Sequence, residues 1–215
     1  MKFHEYADRD MMMIDVANQL VGELNEALMI GGHASFAVPG GSTPGPVFDV
    51  LCGADIDWPR VHVMLNDERR VAPDHERSNE RMLRERLLVE KAAAAHYVSI
   101  RPEGDTLPNI SNELPLSVLV LGMGADMHTA SLFPGSADLD RALAPDAPDL
   151  MFVEASDGLE PRITMSGRVL AGAMSTHVLI AGDEKREALE RAVGKHPDIA
   201  PIATVLGTAK VHWAP

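Results

Sequence analysis

The residues best suited to chemistry lie in one segment, residues 122–136, with the sequence GMGADMHTASLFPGS. It follows the run SVLVL at 117–121, which suits a strand that is covered on both faces. The glycines allow the backbone to turn sharply after that strand and to approach a ligand closely. Open α/β sheets place reactive groups at such strand ends, so His128, whose imidazole exchanges protons near neutral pH, is our candidate for acid–base chemistry.

A second segment, residues 38–44 (VPGGSTP), has the composition of a phosphate-binding turn. Gly40 and Gly41 precede Ser42 and Thr43 at a predicted strand-to-helix junction. Free backbone N–H groups, two hydroxyls and the positive end of a helix can together hold a phosphate. The same residues also fit an ordinary turn in which a hydroxyl caps the helix. Because the spacing matches neither GxxxxGK[ST] nor GxGxxG, it predicts neither ATP nor NAD as a ligand.

Charged residues follow two further predicted strands. Asp67 and Arg69 come after the strand at 61–65, where a carboxylate could bind sugar hydroxyls and a guanidinium could bind phosphate. Lys185 falls in the first turn of a helix after the strand at 176–181. A cation at that end of a helix is unfavourable unless it meets an anion or solvent. Charged turns are also common on surfaces that bind nothing, so these residues alone leave both interpretations open.

The overall composition narrows the possible partners. The 215-residue chain has a formal net charge of −13, which argues against nucleic acid or an anionic membrane as a partner. Its single cysteine, Cys52, excludes an internal disulfide and favours a reducing cytoplasm. We expect neither a signal peptide nor a membrane span. The histidines are scattered without HExxH or CxxC-type spacing, so we predict no metal site and no cofactor.

The order of predicted elements favours an α/β protein with one domain over residues 1–215. Apolar residues at every fourth position predict a long amphipathic helix over 10–30. Short apolar runs, several of them followed by helical patterns, predict buried strands between helices. We also predict one short helical segment at 129–133, directly after His128.

Several motifs together resemble the glucosamine-6-phosphate isomerase/6-phosphogluconolactonase family, and within it the lactonases. The matching segments, in the family's order, are 38–44, 67–71 with 78–79, 122–134, 162–166, and the pair Gly182 and Lys185. The resemblance implies the glucosamine-6-phosphate deaminase-like fold, a Rossmann-like three-layer α/β/α sandwich around a mostly parallel sheet. It also implies hydrolysis of 6-phospho-D-glucono-1,5-lactone to 6-phospho-D-gluconate in the oxidative pentose phosphate pathway.

The same resemblance implies a role for each candidate residue. Neutral His128 would deprotonate the water that attacks the lactone carbonyl. Asp67 or Asp126 would orient the imidazole or bind hydroxyls, and both assignments are open. The phosphate would be held by groups from distant parts of the chain, namely Gly40, Gly41, Ser42, Thr43, Arg162 and Lys185. Arg69 would join this anchor or contact the sugar acid.

Met127 departs from the family pattern, because the family usually has glycine between the aspartate and the histidine. A positive φ at this position would strain Met127 by roughly 1 kcal/mol or more, unless the loop bends differently. Its side chain could also narrow the pocket.

Two other functions remain open. A deaminase or isomerase could use the same fold, although Arg69 and Leu132-Phe133 differ from residues typical of deaminases. A non-catalytic sugar-phosphate sensor would keep the phosphate turn but would not need His128. For the lactonase, the expected partner is a phosphorylated sugar lactone, with the chain acting as a monomer or weak homodimer.

Overall fold

A computed structural model describes residues 1–155 and 159–215. The sequence predicts a loop at 156–161, and part of it lies outside the described residues. The strands are β1 (Lys2–Glu5), β2 (Ala34–Val38), β3 (Val61–Leu65), β4 (Asp67–Arg69), β5 (His96–Tyr97), β6 (Val118–Gly122), β7 (Leu150–Val153), β8 (Arg162–Met165), β9 (Ser175–Ala181) and β10 (Lys210–Ala214). The helices are α1 (Arg9–Ile30), α2 (Gly45–Leu51), α3 (Asn79–Arg86), α4 (Leu139–Leu143), α5 (Gly167–Ala171), α6 (Asp183–Ala192) and α7 (Ala203–Leu206).

The long helix predicted over 10–30 is confirmed as α1. Asp8 caps it, since its carboxylate accepts a hydrogen bond of 2.8 Å from the backbone N–H of Met11. The apolar residues spaced at four positions are all buried, and they are Met12, Val16, Leu20, Leu24 and Leu28. The helix packs with this stripe against β2, β6 and β10.

Seven strands form one parallel sheet in the order β1-β10-β9-β6-β2-β3-β5. Strand β2 is buried along its whole length, as expected of a strand covered on both faces. From β2 the chain proceeds outward to β3 and β5, and it then returns to β6 on the other side of β2. Such a reversal leaves a crevice at the carboxyl ends of the two central strands, where open α/β sheets bind ligands.

Helices cover both faces of this sheet. Successive residues of a strand point to opposite faces. On β10, His212 hydrogen-bonds His177, which in turn pairs with Glu23 of α1. The adjacent Trp213 instead lies under the guanidinium of Arg186 in α6, 4.4 Å from its ring centroid. Helices α1 and α6 therefore lie on opposite faces, and the predicted three-layer α/β/α architecture is confirmed.

A second, antiparallel sheet with the order β4-β8-β7 was absent from the sequence-based prediction. Asn66 joins it to the main sheet, because its backbone N–H donates to Val38 and its carbonyl accepts from Met165, both at 2.9 Å. The charged residues 67–69, which we expected in a turn, form β4 of this sheet. Asp and Glu are poor strand formers by propensity, so these charged residues form a strand through contacts with distant segments, first of all the pairing with β8.

The helical segment predicted at 129–133 is wrong. Thr129 and Leu132 instead form an isolated β-bridge around a tight turn, in which Ala130 has a φ of +47°. The side-chain oxygen of Thr129 donates to the carbonyl of Gly122 at 2.9 Å, which holds the segment close to the end of β6. Within the described ranges, no helix is both long enough and apolar enough to cross a bilayer.

Candidate active site

A cavity of about 520 Å³ opens where the strand order reverses, beyond the carboxyl ends of β2 and β6. All the site residues predicted from the sequence line it, although they come from five separate parts of the chain. They are Gly40, Gly41, Ser42, Thr43, Asp67, Arg69, Asp126, His128, Arg162 and Lys185. The fold therefore brings the predicted set together, while the chemical role of each member stays a prediction.

His128 and Asp126 form a hydrogen-bonded pair just after the carboxyl end of β6. The ring Nδ1 of His128 lies 2.6 Å from Asp126 Oδ1, and the same oxygen accepts the backbone N–H of His128 at 3.2 Å. An ionised carboxylate only accepts, so Nδ1 carries a proton, and in the neutral ring this tautomer leaves the lone pair on Nε2. The hydrogen bond from His128 lowers the pKa of Asp126 from its ordinary value, so the acid is ionised at neutral pH.

The backbone around this pair is shaped to hold it. A Cβ atom at Gly124 would lie 2.2 Å from His128 Nδ1 and 2.3 Å from Asp126 Oδ1, so only glycine leaves room for the hydrogen bond. The backbone N–H of Gly124 donates to the carbonyl of His128 at 3.0 Å and closes the loop. The ring of Phe133 lies 5.1 Å from the imidazole and covers one side of it.

Met127 adopts a φ of +71°, the left-handed region that disfavours any residue with a Cβ. Of the alternatives open from the sequence, the strained backbone is therefore the correct one. Its carbonyl accepts the N–H of Ile202 at 3.2 Å, and its side chain packs against the hydrophobic core. Met127 does not line the cavity, so its side chain does not narrow the pocket.

Asp67 belongs to a different network from His128. Its carboxylate accepts 2.6 Å and 3.2 Å hydrogen bonds from Ser131 Oγ and Asn79 Nδ2, and it lies 3.9 Å from the guanidinium of Arg162. These bonds fix Asp67 at the cavity floor, where it is 7% exposed. Between the two acids left open by the sequence, the geometry pairs Asp126 with the imidazole.

Glu68, the neighbour of Asp67, explains how β4 is held in place. This fully buried carboxylate accepts the backbone N–H groups of Arg69, Asn79 and Glu80 at 2.7–2.9 Å. It therefore sits at the N-terminus of α3, where the helix dipole stabilises an anion. Arg101 neutralises it from the other side at 2.8 Å. The cavity wall formed by β4 is thus locked to α3.

Four basic side chains and two carboxylates line the cavity, so its local charge opposes that of the whole chain. Burial lowers the pKa of Arg162, with Asp67 partly offsetting the effect. Burial likewise lowers the pKa of Lys185, which has no salt-bridge partner among the described residues. Desolvated cations of this kind are stabilised by a bound anion. Lys185 also lies in the first turn of α6, where a cation is unfavourable without an anion. Both observations favour an anion as the ligand of this part of the cavity.

Comparison with known proteins identifies the family. A model of the family described as glucosamine-6-phosphate isomerases/6-phosphogluconolactonase matches residues 7–213. This chain belongs to that family. It is 37% identical to the 6-phosphogluconolactonase of Rhizobium meliloti (strain 1021), covering 93% of each chain, and 35% identical to that of Mesorhizobium japonicum, covering 99% of this chain and 95% of the other. A crystal structure of a putative 6-phosphogluconolactonase from Neisseria gonorrhoeae is 31% identical over the full length of both chains, with a TM-score of 0.92.

Family membership confirms the resemblance and the fold class, and it directs attention to the glycine turn after β2. Gly41 has a φ of +89°, which requires glycine, and it is exposed beside Ser42 at the cavity. Gly40 also lines the cavity, and its predicted role in binding the phosphate stays a prediction. A Cβ there would lie 1.9 Å from Asn79 Oδ1, so this glycine allows the Asn79 side chain to lie across the turn.

Asn79 and Arg77 are lining residues that sequence reasoning missed. Asn79 fits a helix cap by type, but Ser78 supplies the cap, and the Asn79 amide instead accepts a 3.1 Å hydrogen bond from Arg69. Arg69 also donates to the carbonyl of Arg77 at 2.7 Å. The Arg77 side chain pairs with Glu160 at 3.0 Å and lines the cavity. Nothing in the loop sequence around Arg77 separates it from an ordinary surface arginine.

Proposed function

We propose that this chain hydrolyses 6-phospho-D-glucono-1,5-lactone to 6-phospho-D-gluconate, the lactonase step of the oxidative pentose phosphate pathway. The observation that carries the proposal is the His128–Asp126 pair, which lies in a cavity that also contains four basic side chains. The four basic side chains can bind a phosphate group, and a neutral imidazole beside them can activate a water molecule. Together they fit a phosphorylated ester whose hydrolysis requires only an activated water. The similarity to proteins named 6-phosphogluconolactonase supports the same substrate.

In the first step, His128 Nε2 removes a proton from a water molecule as the water oxygen attacks C1 of the lactone. The new C–O bond converts the carbonyl into a tetrahedral anion, and the imidazolium is stabilised by Asp126 through Nδ1–H. Collapse of this anion breaks the bond between C1 and the ring oxygen. The departing ring oxygen then takes the proton from Nε2, so the imidazole returns to its neutral form with the open-chain acid as product.

The phosphate does not react, and its role is to position the ring. We assign it to the turn of Gly41, Ser42 and Thr43 together with Arg162 and Lys185. Neutral donors supply direction, and the two cations supply charge. Binding energy from this remote group can align the lactone carbonyl with His128 and so increase the rate of the chemical step.

The direct test is hydrolysis of freshly prepared 6-phosphogluconolactone by the purified chain, measured against the spontaneous decay of the lactone and in the presence of EDTA. We expect catalysed hydrolysis that the chelator does not reduce, since the mechanism uses no metal. Glucosamine-6-phosphate serves as the second substrate. Ammonia release from it, with lactone decay left at the spontaneous rate, would contradict the proposal and favour a deaminase.

A further inference from the structure

A second group of chemistry-bearing residues lies at the opposite edge of the main sheet. His33 directly precedes β2, His62 is the second residue of β3, and Glu113 lies shortly before β6. Because these strands are parallel, their amino ends meet at one edge. The five residues of β3 span about 16 Å, so this edge is well separated from the cavity at the carboxyl ends.

Three side chains from these positions converge. Glu113 Oε2 lies 3.1 Å from His33 Nε2 and 2.9 Å from His62 Nδ1, and Oε1 lies 3.1 Å from the same His62 nitrogen. One ligand atom from each residue falls within 4.8 Å of the other two. The Glu113 side chain is 11% exposed, while the side chains of His33 and His62 are 36% and 25% exposed. An ion can therefore reach the group from one side.

Two imidazoles and one carboxylate form a donor set that suits Zn²⁺ and similar divalent ions. Bonds of 2.0–2.2 Å in tetrahedral geometry separate the ligand atoms by about 3.3 Å, which is close to the distances between Glu113 and the two histidines. Without a metal, the His62 ring donates its Nδ1–H to the Glu113 carboxylate. A metal would replace that hydrogen, and each neutral ring would carry its own hydrogen on the nitrogen that faces away from the ion.

We propose that His33, His62 and Glu113 bind one divalent transition-metal ion, of the zinc type, at the amino edge of the sheet. The rings of His33 and His62 are stacked at 4.1 Å, so His33 must rotate to direct its lone pair at the ion. It precedes β2 and is partly exposed, which leaves it room to do so. A water molecule can complete the coordination.

Such an ion would tie the starts of β2 and β3 to the segment before β6, and so it would stabilise the fold rather than take part in the reaction. This proposal replaces the expectation of no metal site, which was based on the absence of HExxH or CxxC spacing. The three ligands are separated by 29 and 51 residues and meet only through the strand order. The spacing of histidines along the chain therefore contains no signal of their convergence.

Calorimetric titration of the metal-free chain with ZnCl₂ tests the site. The variants are His33→Ala and Glu113→Gln, which remove one ligand each. His196→Ala is the matched control, because His196 and Asp198 form an exposed 2.8 Å histidine–carboxylate pair elsewhere. We expect one zinc ion per chain in the wild type and in the control. Both ligand variants should bind zinc at least about tenfold more weakly, because removal of even a residue that only orients a metal ligand usually costs about tenfold or more in affinity.

Thermal unfolding provides the second measurement. Zinc should raise the Tm of the wild type and of His196→Ala in a concentration-dependent way, and it should raise the Tm of the two ligand variants much less. Equal zinc affinity in all four proteins, or the absence of a one-to-one complex in the wild type, would overturn the proposal. Neither measurement uses lactone hydrolysis, so its outcome is independent of the proposed activity.

Discussion

At the scale of single residues, the neighbours of His128 fix its tautomer and the orientation of its ring. Its Nδ1–H donates to Asp126, and Phe133 covers one side of the ring. The pair could be predicted in part, because an acid and an imidazole two residues apart after a buried strand are visible in the sequence. The choice of Asp126 over Asp67 could not, since it depends on Ser131 and Asn79, which bind the Asp67 carboxylate.

Replacement of the candidate base gives the first prediction. His128→Ala should reduce kcat for 6-phosphogluconolactone by about 10²–10⁴-fold, the usual contribution of a general base. The phosphate-binding groups are unchanged, so calorimetry should find 6-phosphogluconate bound with nearly wild-type affinity. Near-wild-type turnover in this variant would remove His128 from the mechanism.

The second prediction concerns the space beside the imidazole. Gly124→Ala should lower kcat strongly, because the added methyl group would overlap the hydrogen bond between His128 and Asp126. Gly22→Ala is the control, since a Cβ at Gly22 meets nothing within 4 Å. Steady-state kinetics measure kcat of both variants, and circular dichroism verifies that both are folded. Equal activity of the two variants would show that the pair tolerates displacement.

At the scale of elements, sequence patterns predicted what is local and missed what depends on pairing. Helix α1 and the buried strand β6 follow from periodicity and apolar runs, and both are observed with nearly the expected bounds. The strand β4 is charged throughout, and it exists because it pairs with β8 and because Glu68 is bound to the N-terminus of α3. Contacts of that kind join distant segments, so no local pattern indicates them.

A second example of such a contact joins α1 to the sheet and gives the third prediction. Burial raises the pKa of Glu23, but the hydrogen bond and charge of His177, with help from Lys210, outweigh it and lower the pKa to about 2. The pKa of Glu23 in the folded chain lies below its ordinary value of 4.5, which stands for the unfolded chain. The stabilising effect is therefore complete above pH 4.5 and is lost as the pH falls towards 2.

At about 1.4 kcal/mol per pKa unit, the shift corresponds to at most roughly 3.5 kcal/mol. Because the group is partly exposed and solvent screens it, Glu23→Gln should reduce the free energy of unfolding at pH 7 by on the order of 2–3 kcal/mol. At pH 3 the difference from wild type should be less than half as large, because the wild-type carboxylate has then lost most of its advantage. Urea unfolding at both pH values measures this. Glu26→Gln, on the exposed side of the same helix, is the control and should change little at either pH. A difference that does not vary with pH would contradict the assignment.

At the scale of the whole molecule, an acidic chain must bind a dianionic substrate. A net charge of −13 repels such a ligand at long range, and a local group of cations is needed to overcome the repulsion. The cavity contains such a group, with basic side chains from β4, β8, α6 and the loop that contains Arg77. Arg162 is also held by Asp67 and the carbonyl of Glu160, so its removal would disturb the cavity wall as well as the anchor. Lys185 has no such bonds among the described residues, and it is the cleaner position to test.

Lys185→Ala should raise KM for 6-phosphogluconolactone by about tenfold to one hundredfold, the equivalent of the 1.5–3 kcal/mol of a charge-assisted hydrogen bond. The effect on kcat should be smaller, because the phosphate does not react. Lys195→Ala is the matched control, since it changes the net charge equally at an exposed position outside the cavity. A long-range charge effect would raise KM in both variants and would weaken with added salt.

On unphosphorylated gluconolactone, both variants should match the wild type, because this substrate has no phosphate for Lys185 to bind. If Lys185→Ala instead loses as much activity on this substrate as on the phosphorylated one, Lys185 serves the fold or the reaction, and the phosphate anchor must be assigned to other residues.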